Sequence, residues 1–221
     1  MSEFRRNLLK MGGVMNVEQY VRRHLLCWYS PKRQGADNES LAADPRLVDL
    51  SGKGNDLILE GMTYTESNGI ASDGCIVFRN SRGVCQSNIV LRNFTVICKR
   101  RLDLANYTSY PCVAHKGASR DDKAFAMEWV RGDVCCVSFG QYNKISLLSK
   151  GVVFMTSSSY NGIKSLERGT YNDKATDKLI ISGDGSIGLS RFSLYLYDFM
   201  LFNVSLSAEQ IQWVVDNFIN E

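Results

Sequence analysis

The chain has 221 residues, 44% of them hydrophobic, with 18 glycines and only three prolines. That is enough apolar material for one large β domain and too little proline for a disordered or linker-rich chain. Twenty-six Lys and Arg stand against 23 Asp and Glu, for a net charge of +3, and no basic run is interleaved with aromatics. This balance gives no case for a nucleic-acid partner. No run approaches the ~18 apolar residues of a bilayer span, so no membrane partner is expected.

Residues 1–13 read as a basic arm with Arg5, Arg6 and Lys10, ending in Gly12-Gly13 and lacking a signal-type apolar core. Asn16 can cap a short helix with Gln19 at its third position, and Val17, Tyr20, Val21 and Leu25 share one stripe. We take residues 1–26 as an arm plus helix and residues 27–221 as a single domain. Leu25 to Tyr29 is strand-like and stops at Ser30-Pro31, and Gln34 to Asp44 reads as a polar surface loop.

A tight glycine turn, Ser51-Gly52-Lys53-Gly54-Asn55-Asp56, joins Arg46–Leu50 to Leu57–Leu59. Its spacing is not that of a phosphate loop, and no Gly-Lys-Ser/Thr ending follows. Short strands then alternate with turns as far as Lys178–Ser182, the pattern of a sandwich or barrel. In Phe125–Trp129 the alternation puts Phe125, Met127 and Trp129 on one face and Ala126 and Glu128 on the other.

The final stretch organises the rest. Leu189–Leu201 is apolar on both faces, which predicts a central strand with material packed on each side. Ser207 and Gln210 form a capping box, and Ile211, Val214, Val215, Phe218 and Ile219 form one helical stripe. Seven cysteines (Cys27, Cys75, Cys85, Cys98, Cys112, Cys135 and Cys136) include no C-x-x-C pair, and only His24 and His115 could join them on a metal. Buried reduced thiols are the expectation.

Several of these pieces occur in the order seen in the concanavalin A-like lectin/glucanase superfamily, in its laminin G-like form. They are Asp49–Asp56, Phe94–Lys99, His115–Gly117, Phe125–Trp129, Tyr160–Ile163, Leu179–Ile181 and Leu201–Ile211. The resemblance implies an all-β antiparallel jelly-roll sandwich with a short N-terminal and a C-terminal helix. It does not fix a ligand, since one fold hosts many functions. The opening Met1–Arg6 resembles the start of many phage structural proteins.

Glycoside hydrolysis needs two carboxyls about 5–9.5 Å apart, and on a strand only i and i+2 deliver that on one face. The only acidic pair so spaced on a single run is Asp37/Glu39, in a polar segment, so no catalysis is expected. No cofactor is expected either. Calcium would have to use loop acids such as Asp121, Asp122, Asp173 and Asp184, which form no sequential ligand set. If a sugar binds, loop tyrosines beside asparagines are the candidates: Tyr107, Tyr110, Tyr142, Tyr160 with Asn161, and Tyr171. The expected role is a non-catalytic binding or structural module. The favoured setting is a virion assembled in a host cytoplasm, with the N-terminal arm docking on a scaffold protein and the body packing on copies of itself. Bacterial adhesion is the alternative setting.

Overall fold

The computed structural model describes residues 16–103, 112–117, 123–131, 133–145, 150–162, 164–183 and 192–220. In chain order the elements are α1 (Val17–His24), β1 (Leu25–Tyr29), α2 (Pro31–Gln34), α3 (Asn38–Ala43), β2 (Arg46–Leu47), β3 (Leu57–Glu60), β4 (Ile76–Arg79), β5 (Arg82–Cys85) and β6 (Thr95–Asp103). They continue with β7 (Cys112–Lys116), β8 (Phe125–Arg131), β9 (Asp133–Ser138), β10 (Gln141–Lys144), β11 (Lys150–Thr156), β12 (Ser159–Tyr160) and β13 (Lys164–Ser165). Last come β14 (Leu179–Gly183), β15 (Ser193–Phe202), α4 (Ala208–Val214) and a π-helical turn, Val215–Ile219.

The strands form two antiparallel sheets packed as a jelly-roll sandwich. One runs β1-β15-β6-β11-β12-β13, with β4 also on β15; the other runs β10-β9-β8-β7-β14-β5-β3-β2. Between them lies a core that includes Leu57, Phe78, Phe94, Phe125, Met127, Ile181 and Phe199. Phe94 sits at the centre of it, its ring 5.2 Å from Phe125 and 5.7 Å from Phe139.

β15 is central as predicted, bonded to β1, β4 and β6. Leu194, Leu196, Phe199 and Leu201 face the sandwich interior, while Met200 and Phe202 face a second cluster outside it. A register shift between Leu196 and Asp198 moves the inward set from even to odd positions. The second cluster is made with α1 and α4 and contains Val21, Leu25, Trp28, Ile211, Val214, Phe218 and Ile219. Burial of each large apolar side chain there is worth roughly 1.5–3 kcal/mol.

Both predicted capping boxes are present, Asn16 with Gln19 and Ser207 with Gln210. At the other end of α4, Arg33 Nη2 donates to the Phe218 carbonyl at 2.8 Å and Lys99 Nζ to the Ile219 carbonyl at 3.2 Å. These two cations satisfy carbonyls that a helix end leaves open, on the end where positive charge is favoured. The wider π turn carries Val215 partly out of its stripe, leaving it half-buried while Phe218 and Ile219 are buried.

α1 packs on the body through the fully buried Val21, and β1 begins at Leu25. Two expectations are modified. The segment expected as a polar loop begins on the last residue of α2 and contains α3, with Asp37 capping α3 through Ser40 N at 2.7 Å and Leu41 reaching the core. Helices of one or two turns are too short to show a period. Glu128, expected on the opposite face from Met127, also points inward. A register shift between Ala126 and Trp129 and a positive φ of 51° at Glu128 turn it there. Trp129's side chain lies outside what the structure describes.

Cys27, Cys75, Cys85, Cys98, Cys112 and Cys136 are buried thiols, packed as small hydrophobes. Burial pushes Cys75 up to about 12 and holds Cys98 well above a free thiol. Among the described residues no helix is long and apolar enough to cross a membrane.

Candidate functional site

The face of the eight-stranded sheet turned away from the core carries one continuous cross-strand row. It runs Arg46, Ile58, Val84, Ile180, His115, Ala126, Val137, Tyr142, one residue per strand from β2 to β10. Where β3, β5 and β14 meet, this face is hollowed into a groove of about 340 Å³. Val84 and Ile180, 5% and 4% exposed, form its floor. Its rim is Glu60 and Arg82 on one side and Gln86, Gly117, Thr176 and Lys178 on the other.

Strand alternation builds this arrangement. Gly83 and Cys85 take the inner face of β5, so Arg82, Val84 and Gln86 are turned out. Gly83 has no room for a side chain, since a Cβ there would stand 2.4 Å from Leu57 Cδ2. In β14, Leu179 and Ile181 enter the core and Ile180 faces the groove.

The charges on this face are mostly paired. Arg82 holds Glu60 at 2.7 Å, and Arg46 holds Asp44 at 2.8 Å and Asp56 at 3.3 Å. Lys178 instead donates to the Gln86 backbone carbonyl at 2.6 Å. The segment carrying Thr176 and Lys178 is fixed from beneath. Lys116 Nζ bonds Asp173 Oδ1 at 2.7 Å, with both side chains fully buried, and also bonds the Lys174 carbonyl at 3.1 Å. Asp173 Oδ2 accepts from Leu91 N at 2.7 Å, and Asp177 Oδ2 accepts from the Tyr171 hydroxyl at 2.5 Å. Burial pulls Lys116 down and pushes Asp173 up, so each is drawn toward its neutral form while their mutual hydrogen bond opposes that.

Among the described residues the tyrosine–asparagine candidates do not come together at one place. Tyr160 is a core residue, 4% exposed, donating its hydroxyl to Glu128 Oε1 at 2.5 Å. Asn161 turns the backbone at φ 50° and accepts from Phe154 N at 2.8 Å. Tyr171 is half-buried and spends its hydroxyl on Asp177, and Tyr142 is half-buried against Cys112, Ala126 and Val137. Tyr107 and Tyr110 lie outside the described residues. None of the described four lines the groove.

Among the described residues no pair of carboxylates lines the groove. Glu128 is fully buried between the sheets, bonded to Arg100 from β6 through both oxygens. Asp37, half of the one alternate pair, is a helix cap. Among the described residues Glu60 is the single acid lining the groove, and Arg82 occupies it. Asp173 already has a lysine where a cation would sit, and Asp121, Asp122 and Asp184 lie outside the described residues. Among the described residues no three His, Cys, Asp or Glu side chains group as a metal site.

The groove residues come from β3, β5 and β14 and from the segments flanking β5, β7 and β14, far apart in sequence. The local signal that could have found them is the polar–apolar–polar alternation of Arg82-Val84-Gln86, matched by Lys178-Ile180.

No family model matches the chain, and no curated protein sequence matches significantly. Solved structures do. A botulinum neurotoxin serotype D ligand-binding domain, in complex with N-acetylneuraminic acid, aligns with 93% of this chain at TM-score 0.59 and 16% identity. The binding domain of Paraclostridial Mosquitocidal Protein 1 aligns with 90% at TM-score 0.55 and 14% identity, and Trypanosoma rangeli sialidase with 89% at TM-score 0.53 and 12% identity. This chain spans 53% of each of those toxin domains and 33% of the sialidase. At these identities the likeness is one of fold.

Proposed function

We propose that this chain is a non-catalytic, lectin-like binding module whose ligand is a glycan, held in the groove over β3, β5 and β14. The observation that carries the reading is the groove's composition. An aliphatic floor of Val84 and Ile180 can cover the C–H face of a sugar ring. Around it stand an amide, a hydroxyl, an ammonium and an Arg–Glu pair, able to donate to and accept from ring hydroxyls. One arginine-paired carboxylate cannot serve as both acid and base, which supports the absence of hydrolysis. The fold neighbours include a domain solved with N-acetylneuraminic acid, consistent with sugar recognition on this fold.

The test is a glycan array with the intact protein and with Thr176→Trp. Thr176 is exposed, so the indole fills the groove without disturbing the core. Saturable binding that falls at least about tenfold in the variant, a loss of roughly 1.4 kcal/mol, is the expected result. A flat array for the intact protein refutes the reading.

We further propose a virion as the setting, with the module mounted on a particle through the segment before Asn16 and packed against copies of itself. The burial of all six described thiols suits assembly in a reducing cytoplasm. A chain cut ahead of Asn16 keeps Val21 in its cluster and is expected to fold. It should fail to copurify with the particle, and retained incorporation counts against this setting. Removing α1 as well would confuse the result by opening the second cluster.

A further inference from the structure

The charge on the groove rim is uneven, and the imbalance names a class of ligand. Among the described residues two cations line the groove, Arg82 and Lys178, and Arg46 lies farther along the same face. Arg82 is neutralised by Glu60 at 2.7 Å, and Arg46 by Asp44 and Asp56. Lys178 is held by a neutral group, the Gln86 carbonyl, at 2.6 Å. A carbonyl fixes the position of an ammonium without cancelling its charge, and leaves two of its three protons to donate elsewhere. The nearest acid in sequence, Asp177, is 7% exposed and turned to Tyr171 and the Lys174 backbone. Thr176, next to Asp177 in the turn before β14, puts a hydroxyl on the same rim.

We infer that the groove takes an acidic saccharide, with the sugar's carboxylate received by the Lys178 ammonium and the Thr176 hydroxyl. This inference rests on the glycan-binding reading of the groove and adds the ligand's charge and orientation. The ring lies across Val84 and Ile180. Its hydroxyls on the far side meet the Arg82–Glu60 pair, which offers both a donor and an acceptor at no net charge. Lys178 is anchored at one end of β14, and the Lys116–Asp173 pair beneath fixes the loop that leads into it. The ammonium is therefore pre-positioned, which reduces the ordering cost of binding.

The experiment compares a methyl uronide with the neutral methyl hexoside of the same ring, titrated into the intact chain and followed by NMR shifts. Charge-assisted hydrogen bonds predict a preference for the acid of roughly tenfold, shrinking as salt is raised. Lys178→Gln should bring the two affinities together, and Lys178→Arg should restore the preference. Equal affinities in the intact chain overturn the inference while leaving the groove reading intact. A preference that survives Lys178→Gln overturns the assignment to Lys178. Neither sugar shifting any groove resonance removes both readings.

Discussion

Glu128→Ala is expected to destabilise the protein by roughly 3–5 kcal/mol, the cost of stripping one partner from a buried ion pair. Arg100 is on β6 of one sheet and Glu128 on β8 of the other, and both side chains are fully buried. The pair therefore spans the sandwich interior. Tyr160, from β12, closes the arrangement with its hydroxyl on Glu128. Arg100 Nη1 has no hydrogen-bond partner even in the intact protein, so nothing stands ready to compensate the guanidinium once the carboxylate is gone. Replacing both residues, Arg100→Leu with Glu128→Leu, should cost far less than the single change, because an apolar pair leaves no charge stranded. Urea denaturation of the four chains of that cycle measures the difference. A single-variant loss below about 1 kcal/mol would mean that water reaches Arg100 and that the pair is not a buried strut.

The second large effect is expected at Asp49. Its side chain accepts from Trp28 N at 3.0 Å, Ser51 N at 2.9 Å, Ser51 Oγ at 2.7 Å and Asn55 N at 3.0 Å. One 4%-exposed carboxylate thus shapes the glycine turn and pins it to β1. Asn55, held in this way, donates to the Leu26 carbonyl at 2.7 Å and accepts from the Tyr29 hydroxyl through its own carbonyl at 2.5 Å. Asp49→Ala leaves the Trp28 and Asn55 amides without acceptors, at about 1–3 kcal/mol each. A total loss of roughly 2–5 kcal/mol is expected in thermal or urea unfolding, with early amide exchange across residues 49–56. Lys53→Ala, on an exposed side chain of the same turn, should cost less than about 0.5 kcal/mol. Equal losses in the two variants would disprove the role assigned to Asp49.

Much of the fold is legible in the chain because its signals are local. A capping box needs two side chains three residues apart, and both were placed at the right residues. The doubly apolar β15 is likewise visible, because a strand covered on both faces has no polar positions to alternate. What the sequence hides is created by departures from the regular period. Alternation through Phe125 and Met127 puts Glu128 on the wrong face, since a one-residue bulge is invisible to a period of two. Its partner Arg100 lies 28 residues upstream, with nothing nearby to mark it as buried. The surroundings of the tyrosines were hidden for a related reason. A Tyr beside an Asn at a strand end reads as a sugar platform, but Tyr160 and Tyr171 each found a buried carboxylate, and that acceptor is settled only by tertiary packing. The groove assembles Glu60, Arg82 and Lys178 from strands joined through sheet register, so no window of sequence contains it.

The position of β15 in the chain bears on how the protein must be made. The strand that bridges β1, β4 and β6 follows all three of them in the chain. While the ribosome is still working through the preceding residues, those three strands have no shared neighbour, and their free edges can pair with other nascent chains. Closure waits for Phe202 to emerge, and the lid of α4 follows only afterward. Production should therefore be limited by association between unfinished chains, and slower translation or lower temperature should raise the yield of soluble material without altering the finished fold.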